Sequence, residues 1–161
     1  MSEKRRIVVI SFLGTVLDSG KGEGRWQKWR PNVALNQRQD LAVDRIELFC
    51  AEKFRDTAET VCADIRRVAP HTAVNLVPME LENPWDFSEV YTRLHDWAAD
   101  YPFDSEQEEY WVHITTGTHV AQICLFLLVE SRQIPGVLLQ TAPPKNQKRG
   151  MTHGDVGSFE L

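Results

Sequence analysis

The chain has 161 residues, the size of one domain with a core large enough to be stable without disulfide bonds. Its composition, 42% hydrophobic and 25% charged, is that of an ordinary globular protein and excludes collagen-like, repeat and disordered chains. The net charge of −5 argues against a protein that binds long duplex nucleic acid over its whole surface. A short anionic ligand in a local basic pocket is compatible with that charge.

Neither a disulfide framework nor a membrane span is indicated. The three cysteines, Cys50, Cys62 and Cys124, lack C-x-x-C spacing and are expected to be small buried apolar residues, and no metal or cofactor is predicted. The longest apolar stretch, residues 123–129, is shorter than the roughly 18 to 20 residues of a membrane helix, and the N-terminus does not resemble a signal peptide. We therefore expect a cytoplasmic protein.

Five short apolar segments, rich in Val, Ile and aromatic residues, are predicted to be strands. Several are apolar at consecutive positions, as expected for strands covered on both faces in a parallel sheet. The predicted strands are residues 6–13, 44–50, 73–78, 110–115 and 136–141.

Three helices are predicted between these strands. Residues 52–69 carry apolar side chains at three- and four-residue intervals, and Pro70 ends that helix. A second helix begins at Asp86, which has Glu89 three positions later in the arrangement of a capping box. A third runs from about residue 118 to residue 132 and is apolar on almost every face.

The alternation of strands and helices predicts an α/β fold, with a doubly wound, mostly parallel Rossmann-like sheet of about six strands and helices on both faces. The sixth strand is expected within residues 155–161. Because residues 142–150 are turn-like and too short for a crossover helix, the chain is expected to return as a C-terminal β-hairpin.

The third helix has more apolar surface than one face of a sheet can cover. Such a patch on a monomer favours aggregation, so the pattern predicts a homodimer. The residues expected at the dimer interface are Val120, Ile123, Phe126 and Leu127.

Two segments are candidates for a ligand site, because ligands of doubly wound sheets bind outside the carboxyl ends of the strands where the strand order reverses. The segments that follow the first and fourth strands offer hydroxyls, backbone N–H groups and a helix N-terminus, which favour a phosphate or another anion. The alternative for the second segment is a plain turn, in which Gly117 supplies the geometry and Thr118 is the N-cap. The predicted ligand-binding residues in the two segments are Gly14, Thr15, Asp18, Lys21, Thr115, Thr116, Gly117, Thr118 and His119.

Basic and aromatic residues are interleaved in Arg25-Trp26-Gln27-Lys28-Trp29-Arg30. Guanidinium groups bind phosphates and indoles stack on unpaired bases, so the stretch is typical of a surface for single-stranded RNA, and Arg25 joins the predicted ligand-binding residues. The alternative is an amphipathic helix start whose tryptophans dock into the core. Three further basic residues are expected either to add positive charge at the same end of the sheet or merely to be solvated: Lys145, Lys148 and Arg149.

No catalytic constellation is apparent, since the sequence has no G-x-S-x-G, H-E-x-x-H, P-loop or G-x-G-x-x-G motif. His113 lies inside a predicted strand and is expected to be a hydrogen-bonded core residue. His119 opens a helix at the predicted crevice, where it could contact a ligand or act as an acid or base. We therefore predict a binding domain and not an enzyme.

Five motifs recur in order along nearly the whole chain: FLGTVLD, RWQKWRPNVAL, NPWDFSEVY, HITTGTHVAQICLFLL and LLQTAPP. They resemble the N-terminal domain of the RtcR family, sigma-54-dependent activators of bacterial RNA-repair operons. That domain is of the CARF class (CRISPR-associated Rossmann fold), whose members sense cyclic oligoadenylates or related oligonucleotides as homodimers. The resemblance implies a pocket at the ends of the first and fourth strands, and it carries over Gly14, Thr15, Asp18 and residues 115–119.

The resemblance implies that residues 1–161 are a ligand-sensing regulatory domain. A full-length relative continues into an AAA+ ATPase and a helix-turn-helix domain, which this chain lacks. The implied partners are an RNA or oligonucleotide signal, such as an RNA with a 2′,3′-cyclic phosphate end, a second copy of the chain and that AAA+ domain. Membrane and duplex DNA are not implied as partners of this segment.

In the family, the sensor is taken to hold the ATPase inactive until its signal is bound. The alternative is a slow ring nuclease that cleaves a cyclic oligonucleotide, in which His119 with Thr118 or Lys21 positions a 2′-hydroxyl for attack. A pure protein-interaction module is the third interpretation.

Overall fold

The computed structural model describes residues 4–144 and the backbone of residues 157–160. The strands, in chain order, are β1 (Arg6–Phe12), β2 (Arg45–Cys50), β3 (Ala73–Pro78), β4 (Glu108–His113), β5 (Gly136–Ala142) and β6 (Gly157–Glu160). The α-helices are α1 (Pro31–Ala34), α2 (Arg55–Val68), α3 (Phe87–Asp100) and α4 (His119–Glu130). Short 3-10 helices cover Glu23–Gln27, Leu35–Gln37 and Glu52–Phe54.

The strands form one sheet in the order β3-β2-β1-β4-β5-β6. The first five of these are parallel, and β6 runs antiparallel to β5. The predicted fold class is therefore confirmed, with five parallel strands and an antiparallel sixth. The chain winds outward in one direction from β1 to β3 and in the other from β4 onward, so the order reverses between β1 and β4.

The sheet is covered on both faces because β1 is apolar at consecutive positions. Val8, Ile10 and Phe12 face the layer formed by α3 and α4. Val9 and the following Leu13 face the opposite layer, which includes α1 and α2. Each of these side chains is at most 9% exposed, so the centre of the sheet is dry on both sides.

The predicted elements are present with shifted ends. β4 ends at His113 and not at Thr115, because the Thr115 hydroxyl takes the N–H of Thr141 (2.8 Å) in place of a backbone carbonyl and thereby ends the ladder. The first turn of the predicted residues 52–69 is a 3-10 helix, and α1 was not predicted. Asp86 caps α3 as expected, accepting a hydrogen bond from the N–H of Glu89 (2.8 Å).

The amino edge of the sheet is fixed by a partly buried ion cluster. Arg45 on β2 donates to both carboxylate oxygens of Glu108 on β4 (2.8 Å each) and to Glu47 (2.8 Å). The hydrogen bonds from Arg45 lower the pKa of Glu108 although burial opposes the shift. The cluster ties β2 to β4 across β1 and so fixes which residues reach the opposite, carboxyl edge.

α4 has an apolar outer face as well as a buried one. Ala121, Cys124, Leu125 and Leu128 are buried against the sheet, whereas three of the four predicted interface residues, Ile123, Phe126 and Leu127, are exposed. Val120 is partly buried and packs against the core. Among the described residues, no helix is both long and apolar enough to cross a membrane.

Candidate ligand-binding cleft

A cleft of about 420 Å³ opens at the carboxyl ends of β1 to β4. Its volume falls within the range of roughly 300 to 1,000 Å³ that small-molecule sites occupy, and its position is the point where the strand order reverses. Among the described residues that line it, Lys53 is the only charged side chain. The lining consists of residues 12–17, 49–51, 53–54, 79, 81, 84–85, 115–118 and 121.

The turn between β4 and α4 is built around Gly117. Its φ of 91° lies in the left-handed region that favours glycine, and a Cβ there would meet the Phe12 Cβ at 3.2 Å. Beside it, Thr116 is buried and its hydroxyl donates to the carbonyl of Phe12 (2.6 Å). The Thr116 hydroxyl therefore ties the turn to the end of β1 and does not face the cleft as a free group.

Thr118 is the N-cap of α4. Its hydroxyl accepts a hydrogen bond from the N–H of Ala121 (3.1 Å) and donates one to the carbonyl of Pro84 (2.9 Å). The N–H groups of His119 and Val120 have no acceptor within the part of the chain that the structure describes. The turn therefore offers an anion the backbone N–H groups and dipole of the helix N-terminus, while its hydroxyls hold the structure together.

Asp18, predicted as a ligand-binding carboxylate, lies beneath the cleft and is 1% exposed. It accepts hydrogen bonds from the N–H of Gly14 (2.7 Å) and from the backbone N–H (3.0 Å) and side-chain amide (2.6 Å) of Asn32. Burial raises the pKa of Asp18, and the bonds from Asn32 and Gly14 oppose that rise. A Cβ on Gly14 would lie 2.8 Å from an Asp18 oxygen, so both residues shape the loop instead of presenting groups to a ligand.

A buried polar chain runs under the cleft from β1 to β5. The Ser11 hydroxyl contacts Asn32 Oδ1 (2.7 Å) and His113 Nδ1 (3.1 Å). His113 Nε2 contacts the Thr141 hydroxyl (2.8 Å), which in turn lies 3.2 Å from the Thr115 hydroxyl. His113 is thus the hydrogen-bonded core histidine that its place in a strand predicted.

Lowering the pH from 7 to 5 is expected to reduce the free energy of unfolding by about 2 kcal/mol through His113. Burial lowers the pKa of His113 from 6.5 to about 4, so between these values the unfolded chain binds a proton that the folded chain does not. Its contribution is fully present above pH 6.5 and is lost as the pH falls toward 4. Urea unfolding at pH 5, 6 and 7 measures the effect. In the control variant His113→Gln, which keeps a donor and an acceptor, the free energy of unfolding should depend less on pH over this range. An unchanged pH dependence would contradict the role of His113.

The basic and aromatic stretch forms a structural cluster at α2. Arg25 donates to both carboxylate oxygens of Asp64 (2.8 and 2.9 Å), and the buried Arg30 donates to one of them (2.7 Å). The Trp26 ring packs against the core, with the guanidinium carbons of Arg25, Arg30 and Arg67 5.1–5.3 Å from its centroid. Trp26 therefore has the core-docking role that was the alternative interpretation, and Arg25 is engaged away from the cleft.

Of the remaining predicted site residues, some line the cleft and others do not. Gly14, Thr15 and residues 115–118 line the cleft, and Thr15 is exposed there. Lys21 and His119 are exposed and lie outside the lining. The basic residues Lys145, Lys148 and Arg149 lie outside the described residues.

Five side chains that line the cleft come from a region that was not predicted to contribute to the site. These side chains follow β2 and β3, two strands that were not considered as sources of the site: Lys53, Phe54, Met79, Leu81 and Trp85. The only indication in the sequence that these residues belong to the site was their position after a strand, because the carboxyl ends of all parallel strands meet at the same edge of the sheet. No group of three or more His, Cys, Asp or Glu residues suited to a metal occurs within the described chain.

The chain has a doubly wound, Rossmann-like fold with a cleft at the point where the strand order reverses, and two solved structures share this fold. Over 92% of the chain, the structure matches Csm6 of Enterococcus italicus, solved bound to cyclic hexa-2′-fluoro-hexa-dAMP, with a TM-score of 0.63, 15% identity and 37% of that chain covered. Over 85% of the chain, it matches Can2 from Sulfobacillus thermosulfidooxidans, solved in complex with cyclic tetra-adenylate, with a TM-score of 0.55, 12% identity and 32% of that chain covered. At these identities the likeness is one of fold.

The chain belongs to the RtcR family, described as regulator of RNA terminal phosphate cyclase, whose sequence profile matches residues 5–161. It is 49% identical over 158 residues to the transcriptional regulatory protein RtcR of Escherichia coli (strain K12). That match covers 98% of this chain and 30% of the relative, so the chain spans about a third of the relative's length. The resemblance seen in the motifs to the RtcR family is confirmed.

Proposed function

We propose that this chain binds an RNA or oligonucleotide signal in the cleft, and that binding controls the ATPase activity of the full-length regulator. The signal is an RNA with a 2′,3′-cyclic phosphate end or a cyclic oligonucleotide. The observation that carries the proposal is the free N-terminus of α4, which opens beside a cleft of small-molecule size at the reversal point of the sheet. Membership of a family of transcriptional regulators supports it.

The electrostatics of the cleft favour an anion. Gly117, Thr118 and Ala121 line the cleft, so the N-terminus of α4 and the positive end of its dipole lie beside it. The N–H groups of His119 and Val120 have no acceptor among the described residues. Lys53 adds a formal positive charge, and the described lining contains no carboxylate side chain to oppose it. A phosphate group therefore finds donors there without a competing negative charge.

Binding is tested by calorimetry with four probes: a short RNA ending in a 2′,3′-cyclic phosphate, the same RNA ending in a 3′-hydroxyl, cyclic oligoadenylates and a duplex DNA. We expect saturable binding of the cyclic-phosphate RNA or of a cyclic oligoadenylate and none of duplex DNA. The slope of log affinity against log salt should correspond to only a few phosphates, at roughly −0.7 per contact for single strands. Absence of binding by every probe, or a slope as steep as that of a duplex-binding repressor, would refute the proposal.

Sensing without turnover is better supported than ring-nuclease activity. The nuclease interpretation requires His119 together with Thr118 or Lys21, but the Thr118 hydroxyl is bonded to Ala121 and Pro84 while the other two side chains lie outside the cleft lining. We therefore expect each bound oligonucleotide to be recovered intact after incubation. Separation of the products tests this, and stoichiometric or greater cleavage would establish the enzyme instead.

A homodimer is expected through the outer face of α4. Ile123, Phe126 and Leu127 are adjacent on that helix and exposed, and an uncovered apolar patch of this kind indicates an interaction site. Sedimentation should give twice the 18.5 kDa mass of the chain, and Phe126→Glu should give the single mass. The control Ala63→Glu introduces the same charge at an exposed position of α2 and should remain dimeric. A wild-type monomer at micromolar concentration would exclude this interface.

A further inference from the structure

Apolar side chains are left uncovered around the mouth of the cleft. Trp85 is 62% exposed and Val16 is 73% exposed, although both line the cleft. Leu17 beside them is also exposed, at 39%. Uncovered indole and aliphatic surface next to free anion donors indicates a ligand that has both an apolar face and a negative charge.

The Trp85 indole is carried by a segment whose backbone is hydrogen-bonded on both sides. The N–H of Trp85 donates to Asn83 Oδ1 (3.0 Å), and the carbonyl of Pro84 accepts the Thr118 hydroxyl (2.9 Å). The Glu89 carboxylate takes the N–H groups of Glu82 (2.6 Å) and Asn83 (2.9 Å). These bonds tie the segment both to α3 and to the N-cap of α4, so the backbone that carries the exposed ring is fixed at the cleft before a ligand binds.

The lining also indicates which apolar ligand fits. A purely aliphatic ligand would leave Lys53 and the α4 N-terminus without partners in a desolvated cleft. A nucleotide supplies both a planar base for the ring and a phosphate for the donors. The described lining has no Asp, Glu, Asn or Gln side chain that could form hydrogen bonds with the edge of a base. This favours stacking that does not depend on the identity of the base.

We propose that Trp85 is the stacking platform for one unpaired nucleobase of the signal, with the neighbouring phosphate held by Lys53 and the α4 N-terminus. This inference rests on the proposed function and specifies the part of the ligand that the cleft recognises. It assigns base stacking to Trp85, and not to Trp26, whose ring is covered by three arginines.

The test compares two probes, a short RNA ending in a 2′,3′-cyclic phosphate and cyclic tetra-adenylate, each with an analogue in which one base is replaced by hydrogen. Trp85→Ala should weaken binding of the better intact probe by roughly 5- to 150-fold and leave binding of its base-lacking analogue unchanged. Trp85→Phe should retain most of the affinity. Phe87→Ala, which removes an exposed ring outside the cleft lining, is the matched control and should bind like the wild type.

Lys53→Ala distinguishes the phosphate contact, because it should weaken both members of a probe pair by the same factor. Wild-type affinity in Trp85→Ala, or an equal loss for intact and base-lacking probes, overturns the stacking role while leaving the proposed function standing. A changed sedimentation mass of Trp85→Ala with unchanged affinity also overturns it and assigns the rim to a subunit contact. Failure of the wild type to bind any probe overturns the proposed function and the stacking role together.

Discussion

Replacement of Asp64 by alanine is expected to lower the free energy of unfolding by about 3 to 5 kcal/mol, the range typical of removing one partner from a buried ion pair. The Asp64 carboxylate forms ion pairs with Arg25 and Arg30, and the Arg30 side chain is only 2% exposed. Burial raises the pKa of Asp64, but the hydrogen bonds from Arg25 and Arg30 outweigh burial and hold that pKa below its usual value. Without the carboxylate, the charge of Arg30 is left buried and unpaired.

Urea or thermal unfolding measures this loss, with Glu59→Ala as the control. Glu59 pairs with Arg55 on the exposed side of α2 (3.6 Å), and exposed pairs contribute little, so the control should unfold almost as the wild type does. The double variant Asp64→Ala/Arg30→Met should recover part of the lost stability, because it removes the orphaned charge. An Asp64→Ala protein as stable as the wild type would show that Arg30 reaches water.

Asp18→Ala is expected to cost about 2 to 4 kcal/mol, because each buried donor left without an acceptor costs roughly 1 to 3 kcal/mol and such costs are not additive. The variant removes the acceptor for the N–H groups of Gly14 and Asn32 at once. The side-chain amide of Asn32 also loses one partner but keeps the carbonyl of Phe12 (3.0 Å). The result is a loosened loop at the end of β1.

Chemical denaturation of Asp18→Ala beside Thr15→Val separates a structural role from a binding role. Thr15 is exposed on the same loop, so its replacement should change stability by less than about 0.5 kcal/mol. An Asp18→Ala protein with wild-type stability and abolished oligonucleotide binding would instead support the sequence-based assignment of Asp18 as a ligand contact.

At the carboxyl edge of the sheet, the sequence was sufficient to predict the position of the cleft but not the hydrogen bonds of its side chains. Consecutive apolar residues in β1 and the Thr-rich turn before α4 were sufficient to place a cleft beside Gly14 and residues 115–118. They were not sufficient to show that the hydroxyls of Thr116 and Thr118 bond to Phe12 and Pro84, which lie 104 and 34 positions away. In this turn, the groups left for a ligand are therefore those of the backbone.

In the basic stretch after β1, too, the residue pattern was visible in the sequence but the pairing of its side chains was not. Alternating Arg and Trp residues are typical of a nucleic-acid surface, but Arg25 meets Asp64 39 positions later on α2, and the pairing withdraws it from any ligand. Trp85 lies in the motif NPWDFSEVY, which predicted a capping box and a family resemblance but no ligand contact, yet the crossover after β3 brings it to the cleft.

The sequence by itself determined the chain order of the strands and of the three long helices, the two-sided burial of the parallel sheet and the apolar excess of α4. Each of these depends on the spacing of apolar residues along a few turns or one strand. Only the tertiary structure decided which polar side chains remain available. The acceptor or donor that satisfies a buried Asp18, Thr116 or Arg30 belongs to a residue distant in sequence, and desolvation makes that pairing obligatory once the chain folds.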